Sequence, residues 1–113
     1  ISTYFEGYED ILSDKKQLVI YRVIQESLSN SVKHSKTDKI DLNLVISRDN
    51  IVELKIKDYG QGFELKNVEN QEDSYGLKTM EERLKGISGE LNINSKIDEG
   101  TEIKAIINCE KSM

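Results

Sequence analysis

Residues 21–35 read YRVIQESLSNSVKHS and carry four side chains whose types and spacing could do chemistry together. On a helix advancing about 100 degrees per residue, with Glu26 at zero, Asn30 falls at about 40, Lys33 at about −20 and His34 at about 80 degrees. Residues three and four apart on a helix stand about 5–6 Å from one another. An acid, an amide, a cation and the chain's one imidazole can therefore converge on a single ligand. Ile20, Ile24, Leu28 and Val32 fall on the opposite side in the same projection, which is expected to be the packed face.

Three further features ask for the same explanation. Asp58-Tyr59-Gly60-Gln61-Gly62 places an acid at a strand end before two glycines. A carboxylate only accepts hydrogen bonds, so an exocyclic amine such as adenine's is a natural partner. The glycines let backbone approach a flat ligand closely. Tyr75-Gly76-Leu77-Lys78 places a glycine where a helix is expected to open, and exposed amides at a helix start favour phosphate. Gly100-Thr101 delivers a hydroxyl onto a strand. Each feature alone is commonplace; in this order and spacing they form a set.

The elements that must position these groups follow from periodicity. Residues 1–8 alternate loosely and suit an edge strand. Ser13 or Asp14 is the expected N-cap of a helix over residues 15–34. Residues 39–47 and 51–58 alternate about the short turn 48–50, which predicts an antiparallel hairpin with one buried face. Residues 64–75 are polar and acidic, a connection long enough to be a functional lid. A second helix is expected over residues 77–87, opened by Gly76 and ended by Gly89. Strands over 90–95 and 101–108 then form a second hairpin. That order predicts an α+β fold, a two-layer sandwich in which helices cover one face of a mixed, mostly antiparallel sheet.

Composition bounds the rest. The 113 residues make one domain, 36% hydrophobic and 33% charged, as expected for a single packed core. A net charge of −5 argues against duplex nucleic acid as a partner. There is no apolar run of membrane-spanning length and no signal peptide, so membrane contact by this domain is not expected. One cysteine, Cys109, excludes an intramolecular disulfide, and with one histidine it excludes a Cys/His metal site. The chain starts with Ile1, which reads as a piece of a longer protein.

The motifs resemble the catalytic ATP-binding domain of two-component sensor histidine kinases, within the superfamily shared with gyrase, heat-shock chaperone ATPases and mismatch-repair ATPases. YRVIQESLSNSVKHS is similar to that family's N box, DYGQGF to its G1 box, YGLKTMEERL to its G2 box and GTEIKAII to its closing glycine-threonine motif. The wording resembles the nitrate-sensor-like subgroup. This likeness spans about residues 18–107.

The resemblance implies a Bergerat-type fold that binds ATP and Mg²⁺ and passes the γ-phosphoryl group to a histidine. Asn30 would ligate Mg²⁺, and Glu26 would hold metal-bound water or act as a base. Lys33 and His34 would lie near the phosphates. Asp58 would accept the adenine amine, and Thr101 would complete that contact. Gly60 and Gly62 would admit the base, Gly76 and Leu77 would present amides to phosphate, and residues 64–75 would be the lid. The acceptor histidine of this family stands on a separate dimerisation domain, so His34 is not it. The implied partners are that domain and a response regulator, in the cytoplasm. Two residues depart from the pattern: Ser74 stands where a glycine is usual, and Tyr59 where a small polar residue is usual. An anti-sigma-type serine kinase, an ATPase clamp and a non-catalytic docking module are the alternatives on the same fold.

Overall fold

A computed structural model describes residues 2–7, 12–32, 39–47, 49–61 and 72–109, with residues 72–76 described through their backbone. Five strands and two long helices are ordered β1 (Ser2–Glu6), α1 (Asp14–Asn30), β2 (Ile40–Ile46), β3 (Ile51–Asp58), α2 (Glu72–Lys85), β4 (Gly89–Lys96) and β5 (Gly100–Asn108). The sheet order is β1-β2-β3-β5-β4. β1 runs parallel to β2, and every other pairing is antiparallel. This is the mixed sheet expected from the sequence.

Strict alternation explains why one face is dry. Val52, Leu54 and Ile56 of β3 and Ile103, Ala105 and Ile107 of β5 are buried, and their cross-strand partners lie on the same face. Ile20 and Val23 of α1 and Met80 and Leu84 of α2 close the core over them. The intervening residues form a charged outer face. Asp41 pairs with Lys57, Lys57 with Glu102, and Lys104 reaches Glu53 at 3.5 Å.

α1 begins where the capping chemistry puts it. The Ser13 side chain accepts from the Lys16 amide at 3.2 Å, and Asp14 lies in the first turn near the positive helix end. Beyond Asn30 the chain takes π-helical geometry at residues 31–32. Lys33 and His34, the last residues of the predicted helix, lie outside the described residues.

Three expectations are corrected. The buried stripe of α1 is Ile20, Val23, Ser27 and Ser31, while Ile24 and Leu28 are only partly buried and Val32 is 69% exposed. The helix is therefore rotated relative to its hydrophobic periodicity. Ser27 makes this possible: its hydroxyl donates to the Val23 carbonyl oxygen at 2.7 Å and lies 3.8 Å from Met80 Sδ, so a small side chain lies where α2 crosses. α2 starts at Glu72, so Gly76 is inside the helix instead of opening it. α2 also ends before Gly89. Its last residue is Lys85, and the exit turn uses Ser88 at φ 63, with Gly89 already the first residue of β4.

The edge strand β1 is exposed throughout, with Tyr4 53% and Phe5 47% exposed.

Candidate nucleotide site

Three buried polar side chains, Ser31, Asp58 and Thr101, gather at one end of the sheet. Asp58, the last residue of β3, is 3% exposed. Its Oδ1 accepts the Gly60 and Thr101 amides, each at 3.1 Å, and its Oδ2 accepts the Ser31 hydroxyl at 2.8 Å. Burying a charge is tolerated when it is this well hydrogen-bonded. Those three donors come from the turn after β3, from β5 and from α1, so one carboxylate ties three elements together.

The chain must pass very close to itself for this to happen. Gly100, at φ +95, opens β5 directly against the Asp58 backbone, and a Cβ there would collide with the Asp58 carbonyl oxygen. Glycine is required at this position on both counts. Thr101 then lies buried beside Asp58, its hydroxyl 2.8 Å from Ser95 Oγ on the neighbouring strand. Ser95 Oγ also lies 3.2 Å from the Gly100 carbonyl oxygen, to which it donates. Among the described residues, no buried side-chain nitrogen or oxygen lacks a partner.

Tyr59 turns away from this cluster. Its hydroxyl donates to Asp41 Oδ2 at 2.6 Å on the outer face of the sheet. The Lys39 and Lys57 ammonium groups stand 4.7 and 5.4 Å from its ring centroid. The hydrogen bond that the Asp41 carboxylate accepts from the phenol is the main reason its pKa is raised, with burial second. Tyr59 thus latches the end of β3 to β2.

Asp58, Gly60 and Thr101 are brought together as the sequence implies. Glu26 and Asn30 lie half-buried one turn apart on α1, and Asn30 directly precedes the Ser31 that reaches Asp58. Leu77 is half-buried on α2 and packs against the core. Gly76 lies in the second turn of α2. Lys33, His34 and Gly62 lie outside the described residues, as do residues 64–71 of the expected lid. Sequence reasoning missed Ser31 and Ser95. A serine four residues after Ser27 on a packed helix face was the available signal, because a buried hydroxyl needs a partner.

The profile of the family described as "Histidine kinase-, DNA gyrase B-, and HSP90-like ATPase" matches residues 15–111. The chain belongs to this family. Two similar curated proteins are a signal transduction histidine kinase and a sensor protein. The chain is 39% identical over 87% of its length to the signal transduction histidine-protein kinase/phosphatase DegS of Bacillus subtilis. It is 42% identical over 82% of its length to the sensor protein VraS of Staphylococcus saprophyticus. It spans 26% of the length of each. The fold is that of histidine kinase catalytic domains. The blue-light activated histidine kinase of Erythrobacter litoralis superposes with a TM-score of 0.74 at 18% identity, covering 96% of this chain and 35% of that one. The histidine kinase AdeS of Acinetobacter baumannii gives 0.70 at 16% identity, covering 84% of this chain and 48% of that one. The family's description is that of ATPases.

Proposed function

We propose that this chain is the nucleotide-binding half of a longer sensor kinase. It binds Mg-ATP and presents the γ-phosphoryl group to a histidine on a dimerisation domain outside residues 1–113. A response regulator then receives the phosphoryl group, in the cytoplasm. The observation that carries this reading is Asp58, a carboxylate buried at a strand end and oriented by donors from three elements.

The chemistry follows from the donor set. Asp58 can accept an adenine amine, and the Thr101 hydroxyl beside it can serve the neighbouring ring nitrogen. Asn30 offers a neutral amide oxygen and Glu26 a carboxylate one turn away. That pair fits Mg²⁺, which takes few protein oxygens and relies on phosphate oxygens and water. When bound, the ion would neutralise phosphate charge as the phosphoryl group leaves. Asn30 would hold that ion, and Glu26 would position water or act as a base. Lys33 and His34 are assigned to the phosphate side, Gly60 and Gly62 to the base. Gly76 and Leu77 are assigned to the phosphates from α2, where a residue without a side chain permits close approach. No helix among the described residues is long and apolar enough to cross a membrane.

The similarity to sensor kinases favours this reading over a serine kinase or an ATPase clamp. The test mixes this chain with labelled ATP and a separately produced dimerisation domain of the same parent protein. Acid-labile phosphate on the domain's histidine is expected. Acid-stable phosphate on a serine, or no transfer from a chain that demonstrably binds ATP, overturns it.

A further inference from the structure

β4 is an edge that the fold leaves open. The sheet order puts β5 on one side of it and, among the described residues, no strand on the other. β4 runs from Gly89 to Lys96 in unbroken one-to-one register with β5, and the chain contains no proline. Bulges, prolines and very short strands commonly guard an open edge, so this one is a template for a further strand. The ladder fixes where its backbone groups point. The Asn108 amide donates to the Ser88 carbonyl oxygen at 3.2 Å, one step before β4, and the next residue of β5, Cys109, donates to Asn50 on the β3 side. Hydrogen-bonded pairs alternate along an antiparallel ladder. Glu90, Asn92 and Asn94 therefore bond to β5, while Leu91 and Ile93 direct their amides and carbonyls off the sheet. A groove of about 550 Å³ lies beside this edge, lined by Glu81 and Lys85 of α2 and by Gly89, Glu90 and Leu91.

We propose that two copies of this chain pair through β4, antiparallel and centred on Ile93, so that their two sheets become one continuous sheet. The side chains select that register. Glu90, Asn92, Asn94 and Lys96 alternate along the exposed face of the strand. Setting Ile93 opposite Ile93 of the second copy brings Glu90 against Lys96 and Asn92 against Asn94, and the two-fold axis repeats both pairs. Opposite charges directly across a strand pair attract, and like charges repel. Sliding the copies by two residues sets Glu90 against Asn94 in one direction and against Asp98 in the other, so neither slip pairs an acid with a base. A one-residue slip brings the apolar inner face of one copy onto the polar outer face of the other. The charges that guard this edge against other strands are thus complementary to a second copy of themselves. On the inner face Ile93 meets Ile93, a residue only partly buried within one copy. The same register accounts for Ile97, which is 55% exposed on the β4–β5 turn. It brings Ile97 of one copy alongside Gly89 of the other, at the groove beside α2. None of these side chains belongs to the nucleotide site proposed above, so the pairing stands or falls separately from that reading.

Sedimentation equilibrium of wild type, Glu90→Lys, Lys96→Glu and the double reversal tests this over a range of concentrations. Wild type is expected to pass from monomer to dimer as the concentration rises. Each single reversal turns both attractive pairs into repulsive ones and weakens the dimer about tenfold or more. The double reversal again sets acid against base and returns the dissociation constant to within about threefold of wild type. Wild type that stays monomeric at the highest concentration overturns the proposal. So does a dimer that the single reversals leave unchanged, which would place the contact on another surface, and so does a double reversal no tighter than the singles. Amide hydrogen exchange in wild type gives a second reading, which stands even if a reversal does not fold. The Leu91 and Ile93 amides should exchange more slowly as the chain is concentrated, while those of Glu90 and Asn92, already bonded to β5, change little. Exchange at Leu91 and Ile93 that ignores concentration overturns the pairing equally.

Discussion

Asp58→Asn is expected to weaken Mg-ATP binding about a hundredfold or more while leaving the domain folded. The substituted amide keeps one oxygen to accept the Gly60 and Thr101 amides. Its nitrogen faces Ser31, whose hydroxyl can rotate to accept. What changes is the group offered to the base. A donor replaces an acceptor opposite the adenine amine, and an unmatched buried polar pair forfeits affinity on the scale of about 3 kcal/mol, or about a hundredfold. Asp58→Ala is predicted to differ in kind. It strips the acceptor from three donors at once, so it should lower stability by about 1–3 kcal/mol as well as abolish binding. Calorimetric titration and chemical denaturation of the two variants check this. Equal ATP affinity in wild type and Asp58→Asn would remove Asp58 from the site.

The largest purely structural effect is expected at Leu54. This residue is fully buried at the centre of β3, between β2 and β5, and pairs with Leu44 and Ala105. Leu54→Ala removes most of a side chain that neighbours on three sides contact, so a cavity remains. The cost should be about 2–5 kcal/mol. For a domain whose total stability is about 5–15 kcal/mol, that is a large share. Urea denaturation should show a lower midpoint with little change in slope. A loss below about 1 kcal/mol would mean that the sheet does not pack in this register.

The strands were legible because their signal has a short period. Val52, Leu54 and Ile56 alternate with Glu53, Lys55 and Lys57, and a one-residue slip would bury the charges. The start of α1 was legible because Ser13 has one orphan amide to serve. Which side of α1 is buried was not legible. Hydrophobicity points to Leu28 and Val32, yet the close crossing with Met80 at Ser27 and the bond from Ser31 to Asp58 turn the helix towards its serines. Tertiary contacts decided that, and periodicity carries no record of them. The start of α2 failed for a related reason. Residues 72–75 have no apolar period, and Gly76 costs about 0.8–1 kcal/mol inside a helix relative to alanine. It therefore reads as a boundary, although the helix runs through it.

The site divided in the same way. Asp58, Gly60 and Thr101 were visible because an acid, glycines and a hydroxyl stand at strand ends in a recognisable order. Ser31, Ser95 and Tyr59 were not, because their roles arise from neighbours far along the chain. Ser31 meets a carboxylate on β3, and Ser95 meets Thr101 across a strand pair. Tyr59 latches to Asp41 on β2.

The central claim is that this chain by itself holds Mg-ATP. Thermal denaturation with and without Mg-ATP at about 100 times its Kd tests it most directly. A ligand specific to the folded state at that concentration stabilises it by about 2.7 kcal/mol. For a domain of this size the melting temperature should then rise by about 10 °C. The rise should shrink to about 2 °C or less in Asp58→Asn at the same nucleotide concentration. A wild-type melting curve that Mg-ATP leaves unmoved, superimposable on that of Asp58→Asn, would contradict the account.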